Sequence, residues 1–198
     1  MVLPLFDFRT FIWVLFAFLF GAFPFAVWLT SLSGTDVRAV GDRNPGATNA
    51  LKAGGWKNGL AVLFLDVTKA ALPVGAAHLL FDYKGPGMLA IAMAPMIGHA
   101  YSPFLNFKGG KAVATALGVW IGLTLWEVPL VAIIGLVFWF ALLRKSGWAV
   151  LLTLLGIAGY LLLFRPELLL LEVLALQIIL LIWKHRFEFR LSPRPNRR

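Results

Sequence analysis

The sequence predicts an all-α integral membrane protein with seven transmembrane helices, its N-terminus outside and its C-terminus cytoplasmic. Three observations predict this. The chain is 60% hydrophobic over 198 residues, with a mean hydropathy of +0.84. Only 14% of its residues are charged, against about 25% in a soluble domain. The apolar residues fall into seven segments, and the basic residues sit almost entirely on one side of them.

The first segment, Phe11 to Leu29, is too long for the core of a signal peptide and has no Ala-x-Ala site after it, so it reads as a retained span. The others are Leu60 to Leu80, Pro86 to Ala100, Ala112 to Leu125, Val128 to Leu143, Trp148 to Phe164 and Leu168 to Trp183. A helix needs roughly 20 residues to cross the hydrocarbon core. The third and fourth are the shortest, and about 15 residues reach only about 22 Å. The loop between them, Tyr101 to Lys111, is therefore expected to dip below the headgroups, which is tolerated where backbone lines a cavity. Seven spans leave only Arg9, Lys84 and Arg165 outside and Lys69 within a span, and they place every other Lys and Arg inside, among them Arg144, Lys145, Arg190, Arg194, Arg197 and Arg198. A five-span arrangement with the third and fourth segments re-entrant would bury Lys108 and Lys111 in the apolar layer. The whole chain, residues 1–198, reads as a single polytopic domain.

The net charge of +9 does not point to nucleic acid, because the basic residues are dispersed among apolar spans; anionic headgroups and phosphorylated substrates suit it better. The chain has no cysteine, which excludes disulfides, thiolate metal sites and acyl-cysteine intermediates.

Two polar stretches interrupt the apolar pattern on the inner side. The first lies between Ser33 and Gly59 and contains Gly34, Gly41, Gly46, Gly54, Gly55 and Gly59 together with Asp42, Arg43, Asn44, Thr48, Asn49 and Lys52. So many glycines disfavour a long regular helix, at about 1 kcal/mol each. A flexible linker would also be glycine-rich, but this stretch is dense in directed hydrogen-bonding groups and poor in Ser/Gly repeats. The second, Lys108-Gly109-Gly110-Lys111, runs straight into an apolar helix, so free amide groups and the positive helix end lie beside two ammonium groups. Thr115 shares a helix face with Lys111. Positive-inside anchoring accounts for the lysines but not for the glycines. The spacing is not that of a Walker A loop, and no strand precedes it.

The topology places His78 near the outer face and His99 and His185 near the inner one. An interfacial histidine is commonly structural, but His185 lies in the run Lys184-His185-Arg186, which a lipid-binding basic tail also explains. Asp66 and Lys69, at i and i+3 in the second span, are expected to pair structurally, and Glu172 carries no assigned role.

On these residues the chain resembles the PlsY family of membrane acyl-phosphate:glycerol-3-phosphate acyltransferases, which make lysophosphatidate in bacteria. The family's first motif is similar to Gly41-Asp42-Arg43-Asn44-Pro45-Gly46-Ala47-Thr48-Asn49. Its second resembles Gly98-His99 followed by Phe107-Lys108-Gly109-Gly110-Lys111-Ala112-Val113-Ala114-Thr115. Its third resembles His185-Arg186 with Arg190-Leu191. The resemblance implies a seven-helix fold, an active site on the cytoplasmic face of the bacterial inner membrane, and phosphate binding by Asn44, Lys108, Lys111 and His185. The chain departs from the family in carrying Asp42 for Ser, Lys52 for Arg and Glu188 for Asn. A carboxylate beside a phosphate dianion is repulsive, so Asp42 either pairs with a nearby cation or marks a different acceptor; it could also act as a base on a hydroxyl.

The expected site therefore assigns catalysis to Asp42, Lys111 and His185. Substrate binding falls to Arg43, Asn44, Gly46, Thr48, Asn49, Lys52, His99, Lys108, Gly109, Gly110, Thr115, Arg186 and Glu188. No metal or other cofactor is expected, and the expected partners are acyl phosphate, glycerol-3-phosphate and the lipid bilayer, with no nucleic acid. An acyl phosphate is already an activated anhydride, so transfer to an alcohol needs no enzyme nucleophile. An anion transporter would share the basic site but calls for a polar path to the outer face and a repeat relating two halves, and the sequence has neither.

Overall fold

The computed structural model describes residues 7–143 and 146–189, so Arg144, Lys145 and the tail from Arg190, which includes the last part of the third motif, lie outside the described residues. Every regular element among the described residues is helical: α1 (Phe8–Ala22), α2 (Phe25–Leu32), α3 (Ala47–Gly75, continued by a π-helical turn at Ala76–Leu80), α4 (Gly85–Ala100), α5 (Val113–Thr124), α6 (Glu127–Leu142), α7 (Ser146–Phe164) and α8 (Leu168–His185).

A helix lies on each of the seven apolar segments, but they are not equal. Five helical stretches are long and apolar enough to cross a membrane: Phe8–Leu32, Ala47–Leu80, Gly85–Leu105, Ser146–Phe164 and Leu168–His185. The remaining two, α5 with 12 residues and α6 with 16, are apolar but shorter, about 18 and 24 Å at 1.5 Å per residue.

Two further departures from the sequence reading have identifiable causes. The first segment is broken at Phe23-Pro24, where proline removes a backbone donor and ends α1. The glycine-rich stretch is partly helical, because α3 starts at Ala47, two residues after Pro45. The clash with regular helix is confined to Gly55, whose backbone (φ 79°, ψ −179°) is open to glycine and strained for other residues.

The core is packed by pairs of helices in close approach. A Cβ added at Gly118 would stand 2.1 Å from the Val67 carbonyl oxygen, and one at Gly122 would stand 2.7 Å from the Gly75 nitrogen. This Gly118-x-x-x-Gly122 stripe lets α5 lie against α3 backbone to backbone, the small-residue packing that holds helices together where lipid removes the hydrophobic drive. Met88, Ile91 and Met96 of α4, Trp120 of α5, Ile157 and Leu161 of α7 and Leu181 of α8 fill the centre. Large apolar side chains such as Phe64, Ile134, Leu163 and Ile179 point outward, as they do in a protein whose solvent is lipid. At one end of this bundle the two polar stretches and the end of α8 come together.

Candidate active site

The site is built on Lys111. The residue leads into α5, whose preceding residue Ala112 takes a left-handed backbone (φ 62°) and turns the chain into the helix. Its ammonium group donates to Asp42 Oδ2 at 2.5 Å and also to Glu188 Oε1. Three segments distant in sequence thus meet at one cation. An ammonium group has three N–H donors, and these two contacts use two of them.

Each carboxylate is held in turn. Asp42 Oδ1 accepts from Asn49 Nδ2 at 2.7 Å and from the Asn44 N–H at 3.3 Å. Asn49, buried in the first turns of α3, also donates to the Asn44 carbonyl oxygen at 3.0 Å. The Asp42 to Asn49 motif is therefore a small closed knot rather than a free linker. Glu188 accepts from the Gly147 N–H at 2.7 Å and from Ser146 Oγ at 2.9 Å, both at the start of α7. This is the favourable place for a carboxylate, against the positive end of a helix.

Partial burial by itself would raise both carboxyls. Lys111 outweighs it in each case, helped by Asn49 and Asn44 at Asp42 and by the Gly147 N–H at Glu188, so both are held below their ordinary values. Burial would likewise lower Lys111, but hydrogen bonds to the two carboxylates hold it above its ordinary value. All three remain charged at neutral pH.

The other predicted residues take different places. The His185 ring is buried at the end of α8, with Nδ1 against the Leu181 carbonyl oxygen at 2.8 Å. Its Nε2 is buried and has no hydrogen-bond partner among the described residues; Thr115 Oγ1 is in the same condition. Buried polar atoms normally find partners, so these two are available to a ligand. Lys52 reaches back over Gly41, and a Cβ there would stand 3.2 Å from its Nζ. Arg43, Thr48 and Lys108 are exposed, and Gly46 sits at the N-terminus of α3. Arg186 turns away: it stacks over Trp183 and Phe187, each at 4.4 Å, and donates to the Trp183 carbonyl oxygen.

The second polar loop lies on His99. The Gly110 N–H donates to the His99 carbonyl oxygen at 3.1 Å. A Cβ at Gly109 would stand 1.9 Å from that same oxygen, and one at Gly110 would stand 2.2 Å from His99 Nε2. The glycines are there because nothing larger fits between the loop and the histidine. His99 is thus occupied on its ring by protein, Nδ1 lying 2.7 Å from Lys69 Nζ.

The sequence reading passed over two groups that hold the site. Lys184 donates to the Ala100 carbonyl oxygen at 2.8 Å and sits 4.9 Å above the Tyr101 ring; its place beside His185 was the available signal. Ser146 and Gly147 bear on Glu188 only through folding, and nothing in their local sequence marks them.

Fold and site together define a polytopic helical membrane protein with a glycine-lined, cation-centred polar face. The sequence matches the glycerol-3-phosphate acyltransferase family over residues 11–191. It is 38% identical to the glycerol-3-phosphate acyltransferase of Methylobacillus flagellatus, over 90% of this chain and 91% of that one. With the Nitratidesulfovibrio vulgaris protein of the same description it is 37% identical over 88% of this chain, and there the chain spans about half the relative's length (53%). Two crystal structures of PlsY, described as an integral membrane glycerol 3-phosphate acyltransferase, share the fold. The glycerol 3-phosphate form superposes with a TM-score of 0.85 at 31% identity, covering 92% of this chain and 90% of that one. The lysophosphatidic acid form gives 0.82 at 29% identity, with the same coverage. The chain belongs to the glycerol-3-phosphate acyltransferase family.

Proposed function

We propose that this protein transfers a fatty acyl group from acyl phosphate to the hydroxyl of glycerol-3-phosphate, giving lysophosphatidate and inorganic phosphate. The observation that carries the reading is the convergence of both polar motifs and the segment just after α8 on Lys111, with His185 Nε2 and Thr115 Oγ1 buried and without a hydrogen-bond partner among the described residues. The membership of the family and the existence of PlsY structures in a glycerol 3-phosphate form and a lysophosphatidic acid form support it.

In the reaction the acceptor hydroxyl oxygen attacks the acyl carbonyl carbon, the bond from that carbon to the phosphate oxygen breaks, and phosphate leaves with the electron pair. The hydroxyl proton passes to a base: Asp42, His185 or a phosphate oxygen of the substrate. The chemistry demands two phosphorylated molecules held close and stabilisation of the leaving phosphate. We assign the leaving phosphate to Lys111, through its third N–H, with the Thr115 hydroxyl donating nearby; His185, whose Nδ1–H is given to the Leu181 carbonyl oxygen, presents Nε2 as an acceptor. Asn44, Gly46, Thr48, Asn49, Lys52 and Arg43 are assigned to the first loop's side of the substrate, and Lys108, Gly109 and Gly110 to the second. Glu188 holds Lys111 in place. The departures at Asp42 and Glu188 put two carboxylates where the cationic centre meets its substrate, so an acceptor of lower negative charge than glycerol-3-phosphate is the second reading.

We further assign the protein to the bacterial inner membrane as a single seven-span domain, N-terminus outside, with the site facing the cytoplasm where both phosphorylated substrates are found; the acyl chain stays in the bilayer between helices. The test is to supply purified protein with acyl phosphate and glycerol-3-phosphate and to measure phosphate and lysophosphatidate. Folded protein that yields neither overturns the proposal; turnover with glycerol but not with glycerol-3-phosphate would favour the second reading. Lys111→Ala should lower kcat at least about 100-fold, the loss expected for a group stabilising a developing oxyanion.

A further inference from the structure

The structure contains a second polar cluster, inside the bundle, that the reaction above does not use. Lys69, 1% exposed in α3, makes three contacts through one ammonium group. It donates to Asp66 Oδ1 at 2.6 Å, to the Phe23 carbonyl oxygen at 3.1 Å and to His99 Nδ1 at 2.7 Å. The Phe23 carbonyl is the one exposed by the break before Pro24. Buried charges in a membrane helix are costly and are retained where they carry function. A structural pair would need only Asp66; here the lysine is also spent on a histidine.

The consequence of that contact lies on the other edge of the ring. Because Nδ1 accepts from Lys69, the ring proton belongs on Nε2, and Nε2 faces Gly110 so closely that no side chain fits there. The next residue is Lys111. A hollow about the size of one water is bounded by Phe23, Asp66, Lys69 and His99 from the helices and by Pro45 and Gly110 from the two motifs. Both motifs therefore fold back against this cluster. Lys184 also holds the loop, donating to the Gly109 carbonyl oxygen at 3.4 Å and to the Ala100 carbonyl oxygen at the end of α4 at 2.8 Å.

We propose that Asp66, Lys69 and His99 form a buried clamp that sets the backbone of Gly109-Gly110-Lys111, making Lys69 and His99 positioning residues for acyl transfer rather than substrate ligands. The inference rests on the acyl-transfer reading of the same site. It gives His99 a different task from the substrate binding expected from sequence, and it gives the Asp66–Lys69 pair one where none beyond pairing was foreseen. Small displacements of a binding group are enough to lower rates by up to about 100-fold.

The test compares His99→Asn with His99→Leu, and adds the double variant D66N/K69M. Asparagine carries an acceptor on Cγ, where histidine has Nδ1, and so keeps the contact with Lys69; leucine has none. The double variant removes both charges together, which avoids leaving one buried and unpaired. Two readouts are taken in detergent: kcat/KM for glycerol-3-phosphate, and hydrogen exchange of residues 107–112 relative to the rest of the protein. The expected result is a fall of about tenfold or more in kcat/KM and a rise of about tenfold in loop exchange for His99→Leu and for D66N/K69M, with His99→Asn within about threefold of wild type. Wild-type kinetics and loop exchange in His99→Leu and the double variant would overturn the clamp. So would a loss in His99→Asn as large as in His99→Leu, accompanied by faster exchange throughout the molecule, since that marks a merely structural residue. Should wild-type protein make no lysophosphatidate, the functional reading falls, and the loop exchange by itself decides for or against the clamp.

Discussion

Lys111 is the residue on which charge and geometry meet. Its ammonium group lies between Asp42 and Glu188, so the centre carries one positive and two negative charges before any substrate arrives. In the proposed reaction phosphate has to compete with two carboxylates for the same cation, and Lys52 and Lys108 are the groups we assign to drawing it in. Glu188 is also tied to the Gly147 N–H, so it cannot follow Lys111 freely. The signs of the shifts fix the pH response. Asp42 and Glu188 are depressed, so their stabilising contribution is complete above their ordinary values of 3.8 and 4.5 and is lost as pH falls through their lower folded values. Lys111 is raised, so its contribution is complete below 10.5 and is lost only as pH rises past its folded value. The pairs are intact throughout the physiological range. Replacing Glu188 by Gln should therefore reduce stability by roughly 1.5–3 kcal/mol at pH 7, the value of a hydrogen bond to a charged group, and the gap to wild type should narrow as pH drops below about 4. Thermal unfolding in detergent across that range measures it; a gap that stays constant would show that Glu188 carries no net charge interaction.

At the scale of elements, the contact between α3 and α5 decides where Lys111 stands, because α5 begins two residues after it. The Gly118 to Gly122 stripe brings the two backbones together and leaves no space for a side chain. Gly118→Leu is expected to force the pair apart, with a loss of roughly 1–3 kcal/mol from overpacking and a parallel loss of activity through Lys111. Gly156, in α7, meets nothing within 4 Å, and Gly156→Ala should be neutral or stabilising by up to about 1 kcal/mol, since it only improves helix propensity. The two variants compared by thermal unfolding separate close packing from a general effect of adding side chains. The partial helicity of the first motif belongs to this scale too. Glycine content argues against helix, and it is right at Gly34 and Gly41, which lie outside any helix with positive φ, and at Gly55 within α3; from Ala47 to Gly54 packing and the Asn49 hydrogen bonds override propensity.

At the scale of the whole molecule, orientation is expected to follow the placement of Lys and Arg. Because the chain has no cysteine, single cysteines can be introduced one at a time and probed with a membrane-impermeant maleimide on intact cells. A cysteine at Lys84 should label from outside and one at Lys57 should not; the reverse pattern would invert the topology. Past the far end of α5 from Lys111, Arg165 bridges Glu127 and Glu167, tying the α7–α8 turn to the start of α6. This gives the short α6 an anchor at that end.

The polytopic helical class, the seven apolar segments, the two polar motifs and the family itself were all legible in the chain, because hydropathy, glycine content and motif spacing are local properties that survive without a fold. The Asp66–Lys69 pair was legible for the same reason, an i, i+3 spacing on one helix. Tertiary structure alone decided that Lys111 is shared by Asp42 and Glu188, that Ser146 and Gly147 hold Glu188, that Arg186 turns away from the site, and that Lys69 reaches His99 and through it the glycine loop. The contacts of Lys111 with Asp42 and Glu188 and of Lys69 with His99 join residues 30 to 77 positions apart, and no short-range pattern encodes them. They arise only when close-packed helices bring separate loops to one end of the bundle, where the need to neutralise each buried or half-buried charge selects its partner.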